Sequence, residues 1–142
     1  METKTIPFSL RNISTDQFAI IEESYIEDGG KVQIKTDLEF GIIKEDQMLG
    51  VFVKINLIQN NKPFLILKSG CHFYIETEAF LACQNKEQNK IVFPQGFISH
   101  LALLAVGTAR GILHAKTEST PLNRYFLPTV NLSEMIISDL EF

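Results

Sequence analysis

Hydrophobic and polar positions alternate through the first half of the chain. Val32, Ile34, Leu38, Phe40 and Ile42 share one parity with Thr36, and Lys31, Gln33, Lys35, Asp37 and Glu39 take the other. A strict period of two predicts a strand with one buried and one wet face. Leu49 to Gln59 repeats the pattern, with Val51, Val53, Ile55 and Leu57 opposite Phe52, Lys54 and Asn56. Phe64 to Glu76 repeats it again, with Leu65, Leu67, Cys71, Phe73 and Ile75 opposite Lys68, His72 and Glu76. Glu45-Asp46-Gln47 and Asn60-Asn61-Lys62-Pro63 supply the turns, since asparagine tolerates the left-handed conformation. Gly70 marks a bulge or a close backbone approach. After an extended lead-in over residues 1–15, Gln17 to Ile26 predicts a further strand, closed by the turn Asp28-Gly29-Gly30. Consecutive hairpins of this kind predict an antiparallel meander that needs a cover on one face.

The period changes downstream. Glu78 to Cys83 is expected to form a helical turn and Gln84 to Lys90 a polar loop. Ile91-Val92-Phe93-Pro94 then opens a helix predicted from about Gln95 to about Lys116. Phe97, Ile98, Leu101, Leu104, Ala105, Thr108 and Ile112 follow helical spacing, yet Leu103, Val106 and Leu113 are apolar on another side. A helix apolar nearly all round is buried on more than one side. One small sheet cannot cover it, so an oligomer is expected, with Leu101, Leu104, Thr108 and Ile112 at the interface. A polar turn and the strap Tyr125-Phe126-Leu127-Pro128 follow. Asn131 with Glu134 predicts a capped short helix holding Leu132, Met135, Ile136 and Leu140. The result is an α+β fold in a single domain over residues 1–142. A four-stranded antiparallel sheet (about 10–76) is covered on one face by a long helix and a short C-terminal helix (about 78–142).

Composition narrows the function classes. In 142 residues, 45% are hydrophobic and 11 are Phe, which excludes a disordered linker. A net charge of -4 argues against nucleic acid. Cys71 and Cys83 have no metal-ligand spacing, and METKTIPFSL has no apolar signal core. The most apolar run, Ile98 to Val106, is broken by His100 and is too short for a bilayer. A soluble protein of a reducing cytoplasm, not inserted in a membrane, is expected.

Catalytic candidates are weak. His72 sits on the wet side of a strand, His100 suits a core or interface position, and His114 suits a helix C-terminus. Arg110 is expected to be a surface charge near the helix end. Phosphate-cradling, dinucleotide-binding and nucleophile-elbow glycine patterns do not occur. No catalytic residue, metal or cofactor is expected. Aromatic surface remains, notably Phe93, Phe97, Tyr125 and Phe126. It suits a groove for extended apolar segments of other polypeptides.

Three pieces resemble the SecB family of export chaperones. They are the meander from Val32 to Ile75, with Phe64-Leu65 after its hairpin and an aromatic strand end near Phe73; the apolar-Phe-Pro opening Ile91-Val92-Phe93-Pro94; and Leu127-Pro128-Thr129-Val130-Asn131 before the last short helix. The resemblance implies helices on one face of a four-stranded sheet. It implies a homotetramer, a dimer of dimers with the long helices sandwiched between sheets. The implied activity is that of an ATP-independent holdase for unfolded precursor polypeptides awaiting export. Its client groove, beside the strap and helix, would use Phe93, Tyr125, Phe126 and Leu127, and Phe97 of the aromatic surface is expected to join them in binding clients. The export ATPase is a further partner in that family. The acid that docks it falls here near Ile66, and the helix and following turn are longer than usual.

Two other classes fit less well. A SecB-like adaptor, or a chaperone dedicated to an antitoxin, would bind one partner where a holdase binds many. A hot-dog-type thioesterase would need an acid or histidine at the start of the helix, where only Gln95 stands.

Overall fold

The computed structural model describes residues 5–142. The opening residues 1–4, part of the expected lead-in, lie outside them. Four strands form the main sheet: β1 (Phe8–Ile20), β2 (Val32–Ile43), β3 (Met48–Gln59) and β4 (Lys62–Ile75). All pairings are antiparallel, in the order β1-β4-β3-β2. β2, β3 and β4 are the expected meander. β1 does not continue it: the strand crosses over to pair with β4, which gives a Greek-key order. It also starts well before Gln17. Its polar residues Ser9, Asn12 and Ser14 sit on the wet face of an edge strand, where alternation is a weak signal. Register shifts beside Arg11 and Asp16 interrupt it further.

The turn residues behave as their chemistry requires. Asn60 (φ 53°) and Asn61 (φ 63°) are both left-handed, as a tight hairpin between right-twisted strands demands. Gly70 is a close approach and not a bulge. The Phe52 ring lies across it and across Gly50, so a Cβ at Gly70 would come within 2.8 Å of that ring. The connection from β1 to β2 is clamped by Gln59, a buried polar residue. Its amide donates to the Ile26 carbonyl (3.0 Å) and its oxygen accepts from the Ile26 N–H (2.8 Å).

The covered face carries Leu49, Val51, Val53, Ile55 and Leu57 of β3 beside Leu65, Leu67, Cys71, Phe73 and Ile75 of β4, all essentially without exposure. Over it lie α1 (Thr77–Ala82), a short antiparallel pair of β5 (Gln84–Asn85) and β6 (Lys90–Phe93), and the long helix α2 (Gln95–Thr117). The strap follows, then α3 (Leu132–Met135) and β7 (Leu140–Glu141), which pairs antiparallel with β6. The segment read as a polar loop is therefore a hairpin. The last short helix is a single turn: Asn131 gives no side-chain cap, and its side chain instead accepts from the Ser133 hydroxyl at 2.6 Å.

α2 is buried along Ile98, Leu101, Ala102, Ala105, Val106, Ala109, Leu113 and Thr117. Three alanines in that stripe let the helix lie close to the sheet. Leu103, at 59% exposure, and Leu104, at 41%, are outside it. Leu101 is a correction to the expected interface, because it is fully buried against its own sheet. By length and composition α2 would suffice to cross a membrane, a property hidden when only Ile98 to Val106 is counted.

Candidate functional site

At 3.6 residues per turn, α2 presents two flanks beside its buried stripe. One carries Phe97, Leu104, Thr108 and Ile112 and faces β1. Phe8 of β1 sits edge-on to Phe97 (5.9 Å) and His100 (5.8 Å), and the Lys116 ammonium lies 5.9 Å from the Phe18 ring. Thr108 reaches the Cys71 thiol of β4. That thiol is pushed up by burial, an effect its hydrogen bond to Thr108 opposes. Leu10 and Ile13 of β1 are half-exposed, as is Leu104 of this flank. Among the described residues, the outer edge of β1 has no strand partner.

The other flank carries Leu103, Arg110 and His114, and here the strap is fastened. Arg110 donates through Nε to the Leu127 carbonyl (2.9 Å) and through Nη2 to the Pro128 carbonyl (3.1 Å). It is thus the residue that holds the strap, not a free surface charge. Phe126 stacks on the His114 ring with centroids 5.9 Å apart. Leu127 is buried and Phe126 is 58% exposed. Farther along, the Gln95 side chain donates to the Ile136 carbonyl (2.7 Å), and the Asp139 carboxylate accepts from the Gln95 N–H (2.8 Å). A carboxylate at a helix N-terminus is well placed against the positive end of the dipole.

The strap begins at an aromatic cluster. Thr120 caps the turn Pro121–Arg124, accepting from the Leu122 N–H at 3.2 Å. The Tyr125 hydroxyl meets that of Tyr25 at 3.0 Å, and both rings pack on buried Phe64. Arg124 donates to the Tyr25 hydroxyl and pairs with Glu27 at 3.7 Å. Burial, then the Tyr25 hydrogen bond, push the Tyr125 phenol up. Beside this cluster a mostly apolar cavity of about 240 Å³ opens between β1 and the start of the strap. It is lined by Ile20, Glu22, Tyr25, Thr120, Pro121 and Leu122.

The five residues expected to form a groove fall into two places. Tyr125, Phe126 and Leu127 stand at the C-terminal end of α2. Phe93 and Phe97 stand at its other end, 5.8 Å from each other, with Phe93 also touching Phe80 and Phe142. Phe93 is fully buried, as Leu127 nearly is, so both support the surface from beneath and do not line it. Tyr25, Ile20 and Leu122 belong to the site and were missed. They lie far apart in sequence, and only the β1–β4 pairing brings the first two to the strap. His100 is exposed and so is no core histidine. Among the described residues, no group of three or more His, Cys, Asp or Glu side chains is placed to hold a metal ion.

No family model matches the sequence, and no curated protein matches it. Solved structures do. A SecB-like chaperone of Mycobacterium tuberculosis, Rv1957, in complex with a ChAD peptide from the HigA1 antitoxin, matches over 87% of this chain and 90% of its own. Identity is 15% and the TM-score 0.51. This chain has a SecB-like fold. A protein of unknown function from Streptococcus agalactiae is also similar, at 13% identity and a TM-score of 0.46, over 90% of this chain and all of its own.

Proposed function

We propose that the chain is an ATP-independent, polypeptide-binding chaperone whose clients lie along the strap. The observation that carries the reading is the apolar cavity beside Tyr25 and Leu122, together with the exposed side chains of Phe126 on the strap and Leu103 on the flank of α2 where the strap is fastened. Such a surface binds extended segments by burial of apolar area, with little dependence on sequence. The likeness to a SecB-like chaperone that was solved with a peptide supports the reading. It calls for no catalytic residue and no cofactor, and it fits a cytoplasmic protein that meets newly made chains.

Assembly belongs to the same proposal. The edge of β1, unpaired among the described residues, with half-exposed Leu10 and Ile13 on that strand and Leu104 on α2, suits a second copy adding strand to strand about a two-fold axis. Thr108 and Ile112, half-buried on the same flank, would lie at the margin of that contact. The proposal does not extend to delivery of clients to an export ATPase, because Ile66, near which the SecB resemblance sets the docking acid, is apolar.

The test is aggregation of a chemically unfolded protein followed by light scattering, with this protein titrated in without nucleotide. Suppression near one protomer per client, weakened in Phe126→Ser and Leu103→Ser, is expected. An oligomer that suppresses nothing would refute it. A second reading has one observation in its favour, the antitoxin peptide held by the similar chaperone. It makes this chain a chaperone dedicated to one partner, and it predicts suppression for that partner alone.

A further inference from the structure

At the end of the molecule away from the strap's aromatic cluster, the β5–β6 hairpin and the turn after β2 enclose a second recess, of about 180 Å³. Lys44, Lys86 and Lys90 line it with the carboxamides of Gln84, Asn85 and Asn89, and with Ile91. Among the described residues no acid lines it, although Glu45, Asp46 and Glu87 neighbour it in sequence. Lys90 is shared with Glu141 at 3.4 Å. Neither Lys44 nor Lys86 has an ion-pair partner among the described residues. Three lysines around one hollow stand out in a chain of net charge -4, and together they favour an anion there.

The hairpin geometry brings the lining residues of β5 and β6 together. Gln84 pairs with Ile91 and Asn85 with Lys90, which fixes the two arms of the hairpin. Asn89 is left-handed (φ 53°), as the turn requires. Lysine is a compact point charge with three donors, and carboxamides add neutral donors. That set suits an anion that accepts from several directions at once.

We propose that this recess is an anion site, and that its ligand is a dianionic phosphate, free or as a small phosphomonoester. Phosphate presents acceptors on all sides, whereas a lone carboxylate presents one edge and half the charge. The site is independent of the polypeptide-binding surface and does not rest on that reading.

The test is backbone amide NMR at pH 7.5 with constant ionic strength, replacing chloride by inorganic phosphate and, separately, by phosphoserine. Saturable shifts at Asn85, Lys86, Asn89 and Lys90 are expected, with half-saturation in the millimolar range. In the Lys44→Gln, Lys86→Gln double variant, half-saturation should rise at least tenfold while the spectrum elsewhere stays folded. Tighter binding of phosphoserine assigns a phosphomonoester, and equal or weaker binding assigns free phosphate. Shifts that do not saturate, that chloride reproduces, or that persist unchanged in the double variant overturn the proposal.

Discussion

Arg110 makes the sharpest test of how the strap is held. Replacing it by Met keeps an unbranched apolar stem and removes the two donations to Leu127 and Pro128. A hydrogen bond to a charged group contributes about 1.5–3 kcal/mol. The Nε bond to Leu127 is half-buried and the Nη2 bond to Pro128 is exposed, so water replaces much of the second. The Leu127 carbonyl is the group left needing a partner, which costs about 1–3 kcal/mol if it stays buried. Together these give a loss of about 2 kcal/mol. For a domain of this size that corresponds to a fall in Tm of roughly 6–10 °C. Urea unfolding measures the free energy, and hydrogen exchange locates it. Amides from Tyr125 to Asn131 should exchange faster in the variant, while those of β3 and β4 open only with global unfolding. Unchanged stability together with unchanged exchange across the strap would refute the idea that Arg110 fastens it.

Other consequences are equally direct. Leu101→Ala should cost about 2–5 kcal/mol by urea unfolding, as expected for a fully buried leucine. Leu104→Ala should alter stability by less than about 1 kcal/mol in the isolated chain but weaken self-association in sedimentation, and equal costs for the two would overturn the assigned helix rotation. Gly70→Ala should destabilise by about 1–3 kcal/mol through the Phe52 ring and the Ser14 hydroxyl, each 2.8 Å from the added Cβ, and the same change in a Phe52→Leu background should cost less, a coupling read by a double-mutant cycle. Burial raises Cys71 and Cys83, and burial with the Tyr25 contact raises Tyr125. The folded state therefore holds more protons than the unfolded one once pH passes the ordinary thiol range. Stability should fall as pH rises from about 8 to 10, and a flat or rising profile would contradict the burial of these groups.

Much of the sheet could be read from the chain because β2, β3 and β4 each have one wet and one dry face. The period of two then assigns the buried face of β2, of β3, and of β4 from Leu65 onward, while Phe64 departs from it, buried beside Leu65 where the β3–β4 register shifts. The rotation of α2 could not be read in the same way. Its apolar residues lie nearly all round, so no one face stood out; Ile98, Leu101 and Leu113 share the inward face with Ala102, Ala105 and Ala109, while Leu103 and Leu104 stay outside it. Arg110 was misread because its partners are backbone carbonyls, which have no sequence identity. The strap itself was legible from Leu127-Pro128 and the aromatics before it. The cavity next to it was not, since Ile20 and Tyr25 reach it from the opposite end of the chain. β5 and β7 contribute two residues each, too few for any period to register.

The place of β1 in the sheet also sets an order of events. β2, β3 and β4 can zip together through two tight turns as soon as they exist. β1 has no neighbour until β4 is present, because Phe8 pairs with Ile75 and Ile20 with Leu65. Closing that long loop is the slow, entropy-limited step expected of non-local pairing. Until it closes, the vacant side of β4 will accept a β1 from any copy of the chain, and at high concentration refolding should yield strand-exchanged pairs. The strand that precedes the other three in synthesis is the last to find its place.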